Sequence, residues 1–567
     1  MEKIIKILTK ESANINQAAL LLGSFTFLSQ ILALFRDRSY AHFIGPSPTL
    51  DVYYVAFRIP DLIFICIASL AGATVLIPFI AAKMPARQSQ GGKDGKATDE
   101  ARKYLNNIFT VFFAGMVVIS LVAFFLMPLL VSFIAPGFTP VMQAKLIIIS
   151  RIMLLSPILL GLSNLLGTVT QLFRKFFIYA LSPIFYNIGI IIGVIFLYPI
   201  FGIYGLAIGV VLGAFMHFAI QALAVSGSGF TPKISGSVNF SEIKKVVTVS
   251  FPRTLGLAFN NLALISIIAL ASFLKDGSIS VFNFAFNLQS VPLNIIGISY
   301  AVAAFPTLAK SVSLGRMDEF TNHLKSAARA IVFWSLPVIF LFIVVRAQIV
   351  RVILGSGSFS WENTRLVAAA LAVFSISILA QGMITFLSRA YYAHGNTRRP
   401  LIINFFCSIL IIILAYLFIY FFENIPLWRY FIESVLKVED IPGTEILMLP
   451  LAYSVGTILN SILHWYFVRK DFMQGASFIT KTFFQSLGAS FFLGLVAYIC
   501  LNILSPIFGT TTFLGVFFQG FISGMAGIAT AIFVLYLLKN EQLREITKAL
   551  KTKFWRVKVI APSQEGL

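Results

Sequence analysis

The sequence predicts an all-α polytopic membrane protein of about fourteen transmembrane helices, built as two pseudo-symmetric six-helix lobes plus two C-terminal helices. Three observations carry this: a composition too apolar for water, a series of apolar stretches of spanning length, and an internal repeat about six spans long. Hydrophobic residues make up 58% of the 567-residue chain and charged residues 11%, against roughly 25% charged in soluble domains. Mean hydropathy is +0.90. A chain this poor in polar surface has hydrocarbon for most of its solvent, where backbone N–H and C=O groups must be satisfied inside helices. The 58 Phe and 18 Tyr suit helices among acyl chains, with aromatic belts at the interfaces.

A span needs about 20 mainly apolar residues. Such stretches run over 18–43, 52–82, 107–134, 145–172, 177–199, 201–225, 246–273, 279–309, 327–352, 364–392, 400–422, 446–468, 482–505 and 511–538. The opening MEKIIKILTKESANINQ carries charges and no cleavage-like A-x-A site, so the first stretch reads as a retained helix. Lobe one is expected over 1–226, lobe two over 227–475, the added pair over 476–540, and a basic cytoplasmic tail over 541–567.

Loop charge assigns the sides. With the N-terminus cytoplasmic, the even-numbered loops hold KMPARQSQGGKDGKATDEARK, FRK, Lys233 with Lys244 and Lys245, Lys325 with Arg329, HGNTRR and RKDF. The tail reads KNEQLREITKALKTKFWRVK. All are basic. Opposite loops are poorer: IFGIYG and SPIFGTT carry no charge, and 423–445 is acidic. The loop with Arg346, Arg351 and Arg365 is an exception. The alternation places both termini in the cytoplasm. It also gives the net charge of +21 a topological meaning, so no nucleic-acid partner is implied.

The repeat pairs DVYYVAFR at 51–58 with SVFNFAFN at 280–287. A proline follows each (Pro60, Pro292), and another closes each span (Pro78, Pro306). A second pair sets Pro183 four residues before Asn187 and Pro400 four before Asn404. Parallel repeats of this kind are a transporter architecture with the substrate site between the repeats.

Ionisable residues inside spans are costly and mark a pathway by default. Arg36 and Asp37 lie towards the end of the first span, and Asp51 and Arg58 at the start of the second. Asp51 and Arg58 share a helix face, and Asp61 is within reach of Arg58. Arg36 and Arg58 fit a cationic pocket that grips phosphate through forked donors, with the aspartates orienting them. Arg253, beside Pro252 at the start of the seventh span, is a further anion ligand candidate. Gln30, Asn287, Gln289 and Arg389 are candidate cavity-lining residues. Snorkelling and interhelical hydrogen bonding compete with these roles.

Three cysteines without partners in sequence and five histidines without ligand spacing suggest no metal site. No nucleophile elbow, Walker loop or HExxH occurs, and acids are scarce in the spans. The chain therefore reads as a transporter with no catalytic residues and no cofactor.

The stretch LALFRDRSYAHFIGPSPTLDVYYVAFRIPDL resembles the opening of the MurJ/MviN family of lipid II flippases. IAPGF at 134–138, SRIMLLSP at 150–157 and LSRAYYAHGNTRRP at 387–400 resemble later family segments in order. The resemblance implies a multidrug/oligosaccharidyl-lipid/polysaccharide exporter fold, with two lobes around a cationic cavity. It implies alternating access for a polyprenyl-diphosphate-linked sugar in the bilayer, with a coupling ion as a further expected partner. Arg36, Asp37, Asp51 and Arg58 match motif positions. The chain diverges at Gln30, Phe64 and Asn287, where the family has arginines, at Phe286, where it has an acid, and in SLAGAT, where it has A-E-G-A. A flippase for another undecaprenyl-linked glycan, a drug/ion antiporter and a non-transporting scaffold are the alternatives.

Overall fold

A computed structural model describes residues 15–68, 76, 99–173, 175–226, 232–236, 239–473, 479–509 and 512–555. Among these, regular structure is helical throughout, with no strand. Eleven helices are long and apolar enough to cross a membrane, or twelve when Trp361–Ser375 and Ile378–Ala393, bent by 42° at their junction, form one span. These twelve coincide with the third to fourteenth stretches expected from sequence. The first expected stretch falls on the helix Ile15–Phe43. The second begins with Pro48–Ala56 and Arg58–Ala68. Pro78, Arg174 and the tail beyond Trp555 lie outside the described residues.

The second stretch is not one continuous helix. Pro60 has no N–H to give the Ala56 carbonyl, so the ladder breaks at Phe57 and restarts at Arg58. The corresponding stretch of the second repeat behaves similarly. Pro292 ends the regular part of Ser278–Leu293, and a π-helical turn follows at Asn294–Ile298. Helix starts carry their own signals. Ser47 caps Pro48–Ala56 by accepting from Leu50 N at 3.4 Å, and Thr139 caps Pro140–Met153 by accepting from Met142 N at 3.4 Å. Each cap precedes a proline at the first helical position, where no N–H is needed.

The chain divides into two compact units. The first comprises 1–288, 353–374 and 396–460. Within it, four loops that the charge alternation assigns to the exterior meet in pairs. Ser358 N donates to the His42 carbonyl at 3.0 Å, and Gly137 N donates to Ser272 Oγ at 3.0 Å. Gly137 meets the Ser272 carbonyl so closely that any Cβ there would collide with backbone. Gly277, at φ 89°, passes Pro46.

The second unit comprises 289–352, 375–395 and 461–567. Its core includes Phe320, Leu324, Phe386, Tyr391 and Val468, all buried. Tyr391 OH donates to Asp471 Oδ2 at 2.8 Å, and Glu541 pairs with Lys481 at 3.3 Å and Arg329 at 3.8 Å.

Candidate functional site

Four of the residues expected to form the site join polar networks within the first unit. On the helix Ile15–Phe43, Arg36 lays its fork on its neighbour: Nε and Nη2 donate to Asp37 Oδ1 at 3.1 and 2.9 Å. Nη1 donates to Asn187 Oδ1 at 3.2 Å. Asn187 is in turn positioned through its Nδ2, which donates to Ser29 Oγ at 3.3 Å and to the Pro183 carbonyl at 3.1 Å. The other Asp37 oxygen, Oδ2, accepts from Asn287 Nδ2 at 3.1 Å. Asp37 is buried, while the Arg36 side chain keeps 21% of its surface exposed. A guanidinium has five N–H donors. Arg36 uses three among the described residues, which leaves two for a ligand.

Arg58 is less committed. Its Nη2 donates to Asn283 Oδ1 at 2.8 Å, and Asn283 is held by its own Nδ2 on the Ile279 carbonyl at 2.7 Å. The Nε of Arg58 is buried with no partner among the described residues. Among the described residues no ion pair joins Arg58 to Asp61, so the neighbour of Arg58 is a neutral amide rather than the carboxylate three residues on. A half-buried guanidinium with four donors left over among the described residues is chemically suited to an anion.

Asp51 does something different from its expected orienting role. Its Oδ2 accepts from Gly277 N at 2.7 Å, and its Oδ1 accepts from Ser280 N at 2.7 Å and Ser280 Oγ at 2.6 Å. These donors belong to the first turn of Ser278–Leu293, where helix N–H groups lack intrahelical partners and the dipole is positive. Asp51 therefore acts as an N-cap supplied from a distant part of the chain. Next to it, Tyr40 and Tyr53 share a 2.6 Å hydroxyl contact, and the Arg36 guanidinium lies 6.0 Å from the Tyr40 ring centre.

The remaining expected residues do not all gather here. Gln30 is half-buried on the Arg36 helix. Asn287 joins the network through Asp37. Arg253 lies in Phe240–Ala271, and its side chain is outside the described residues. Gln289 and Arg389 belong to the second unit. There Gln289 is buried and accepts from Gln381 Nε2 at 3.2 Å, and Arg389 is half-buried on Ile378–Ala393. Sequence reasoning missed Ser280 and Asn283, and gave Asn187 only as a landmark. The repeat alignment, which sets Ser280 opposite Asp51, was the available signal for Ser280.

A helical membrane protein whose intramembrane arginines are held by carboxylate and amide neighbours, with donors left over, has the makings of a carrier for an anionic, membrane-borne substrate. Residues 40–519 match the family model described as lipid II flippase MurJ, and the chain belongs to that family, one of flippases and not of catalysts. A probable lipid II flippase MurJ of Rhizobium tropici is 26% identical over 67% of this chain and 71% of its own length. The lipid II flippase MurJ of Burkholderia cenocepacia is 25% identical over 86% of this chain and 91% of its own. Among solved structures, a lipid II flippase MurJ in an inward closed conformation superimposes with a TM-score of 0.71 at 20% identity, covering 92% of this chain and all of its own. An inward-facing multidrug resistance MATE family transporter superimposes at 0.62 with 14% identity, over 80% of this chain and 98% of its own. The fold is thus that of these transporters, in a multi-pass protein of the bacterial inner membrane.

Proposed function

We propose that this chain carries lipid II, the lipid-linked peptidoglycan precursor, from the inner to the outer leaflet by alternating access. The observation that carries the reading is the Arg36–Asp37–Asn187–Asn287 network with Arg58 nearby in sequence order on the next helix. Lipid II presents a diphosphate, and a diphosphate asks for several forked donors in a medium of low dielectric, where each charge acts strongly. Arg36 and Arg58 together retain six N–H donors by the count above. Asp37 keeps Arg36 oriented and partly neutralised, which keeps binding weak enough for release.

Asp51 supplies the gating element of this cycle. Its three bonds to the start of Ser278–Leu293 join the first and second repeats at one side. Loop charge assigns that side to the exterior and both termini to the cytoplasm. Opening towards the outer leaflet requires those bonds to break.

The test is to deplete the chain in cells that depend on it and to label lipid II at the outer face. Loss of label supports the proposal. Unchanged labelling with altered surface glycan, or with altered drug export, would transfer the site to a different substrate.

A further inference from the structure

The helix Pro426–Leu436 is built the wrong way round for a water-facing surface. Leu427, Tyr430, Phe431 and Val435 share one face by helical spacing and are 77%, 64%, 55% and 59% exposed. Glu433 lies on the opposite side, and its partner Arg429 is 57% exposed at the edge. Glu433 is buried and accepts from Arg429 Nε at 3.1 Å and from Thr444 Oγ1 at 2.5 Å. A surface helix ordinarily turns its apolar face to the core and its charges to water. An apolar medium must therefore cover this one.

The preceding helix says which medium. Arg398–Asn424 is one of the spans and has 27 residues. At 1.5 Å per residue it is about 40 Å long, more than the ~30 Å of hydrocarbon it crosses. With Arg398 and Arg399 at one end, Asn424 reaches the headgroups of the opposite leaflet. A single residue, Ile425, then joins it to Pro426. The exposed Tyr416 and Tyr420 near the end of the span lead on to Tyr430, an aromatic band of the kind found at membrane interfaces. The lipid-facing surface of the span thus continues onto the short helix.

We propose that Pro426–Leu436 lies in the bilayer interface, with its Leu427–Tyr430–Phe431–Val435 face sunk among the headgroups and first acyl carbons of the leaflet at the Asn424 end. Arg429 and Glu433 neutralise one another, so apolar area holds the helix there rather than attraction to anionic lipid. The protein holds the helix equally firmly from the other side. Lys437, at φ 62°, closes its end in the left-handed conformation, and Val438 N returns to the Glu433 carbonyl at 2.9 Å. Arg365 donates to the Lys437 carbonyl at 2.6 Å and grips Asp440 at 2.7 and 2.9 Å. The helix is therefore tied to Trp361–Ser375, which carries Arg365. This inference requires only that the chain spans a membrane, and it stands apart from the identity of the substrate.

The experiment places a spin label at Leu427→Cys, Phe431→Cys or Tyr430→Cys in the full-length chain, with Cys66, Cys407 and Cys500 replaced by alanine. Glu439→Cys is the aqueous reference. The protein is reconstituted in nanodiscs of phosphatidylcholine alone and of phosphatidylcholine with phosphatidylglycerol. Labels at 427, 430 and 431 should be several-fold more accessible to oxygen than to a water-soluble nickel chelate. That corresponds to a depth of roughly 5–10 Å, and it should be equal in both compositions, while the Glu439→Cys label shows the reverse order. Nickel accessibility exceeding oxygen at all three positions would overturn the proposal. So would exclusion of both reagents, which would mean that a protein surface covers the face. Insertion that requires phosphatidylglycerol would overturn the apolar account.

Discussion

Asp51 accepts three hydrogen bonds from the helix start at Gly277 and Ser280, and Ser280 is its own counterpart in the second repeat, 229 residues on. Equivalent positions of two parallel repeats meet only near the axis that relates them. A carboxylate on one copy and the unpaired N–H groups of a helix start on the other make an asymmetric lock from symmetric parts. Asp51→Asn replaces one acceptor oxygen with an NH2 that faces N–H donors. With hydrogen bonds to charged groups worth ~1.5–3 kcal/mol, closure should weaken at least tenfold. A cysteine at the buried Val281 position should then react with an impermeant maleimide at least ten times faster than in the parent. Ser280→Ala, which removes one of the three bonds, should give a smaller increase. Unchanged labelling in Asp51→Asn would show that something else holds this face shut.

Arg36 and Arg58 are expected to be indispensable for different reasons. Arg36→Ala removes the donor fork and leaves the buried Asp37 with Asn287 as its one hydrogen-bond donor among the described residues. Arg58→Ala removes a guanidinium with four donors unused among the described residues. Both should abolish outward exposure of lipid II while protein levels in the membrane fraction stay normal. Arg36→Lys keeps the charge and loses the two-point grip on Asp37, so activity should fall by about tenfold or more. Arg399→Ala, exposed at a helix end, should behave as the parent. Full complementation by both alanine variants would remove these residues from the pathway.

The spans were legible because lipid admits few structures: once water is excluded, a long apolar run has to be a helix. The charged members of the site were legible for the related reason that a charge in such a run is expensive. Their partners were not. Asn283 and Ser280 are ordinary polar residues of a helix interior, and only the approach of segments 225 and 229 residues apart gives them a role. The break at Phe57 was readable from Pro60, yet the apolar run across it reads as continuous. In 423–445 acidic residues dominate the charge, and the four-residue apolar face of Pro426–Leu436 is hidden in a segment too short and too polar to read as a span.

Asn287 offers a test of charge at a position where the resemblance places an arginine. Its Nδ2 donates to Asp37 Oδ2 at 3.1 Å. Asn287→Arg keeps a donor there and adds a cation beside a carboxylate, so transport should be retained or increased. Asn287→Asp sets two carboxylates against one another in a medium where like charges repel strongly. It should reduce activity as severely as Arg36→Ala, read by the same outer-face labelling of lipid II. Equal activity in the two variants would mean that Asn287 sees bulk water rather than Asp37.

The crossing of Phe176–Ile192 with Ile203–Val225 tests stability instead of transport. A Cβ on Gly189 would strike the backbone of Gly213, and one on Gly193 would lie 2.6 Å from the Cα of Gly209. The two helices approach as closely as glycine permits, the small-residue packing by which membrane helices associate without a hydrophobic driving force. Gly189→Val or Gly213→Val must push them apart, at about 1–3 kcal/mol or more. The melting temperature in detergent, followed by size-exclusion profiles after heating, should drop by several degrees, with reduced yield. Gly115 in Asp99–Ile134 is the control, since nothing lies within 4 Å of its added Cβ. Gly115→Ala should leave the midpoint unchanged or raise it slightly, because alanine loses less backbone freedom in a helix. A glycine-to-valine change at the crossing that melts with the parent would show that the helices tolerate separation and that the glycines are not what sets their distance.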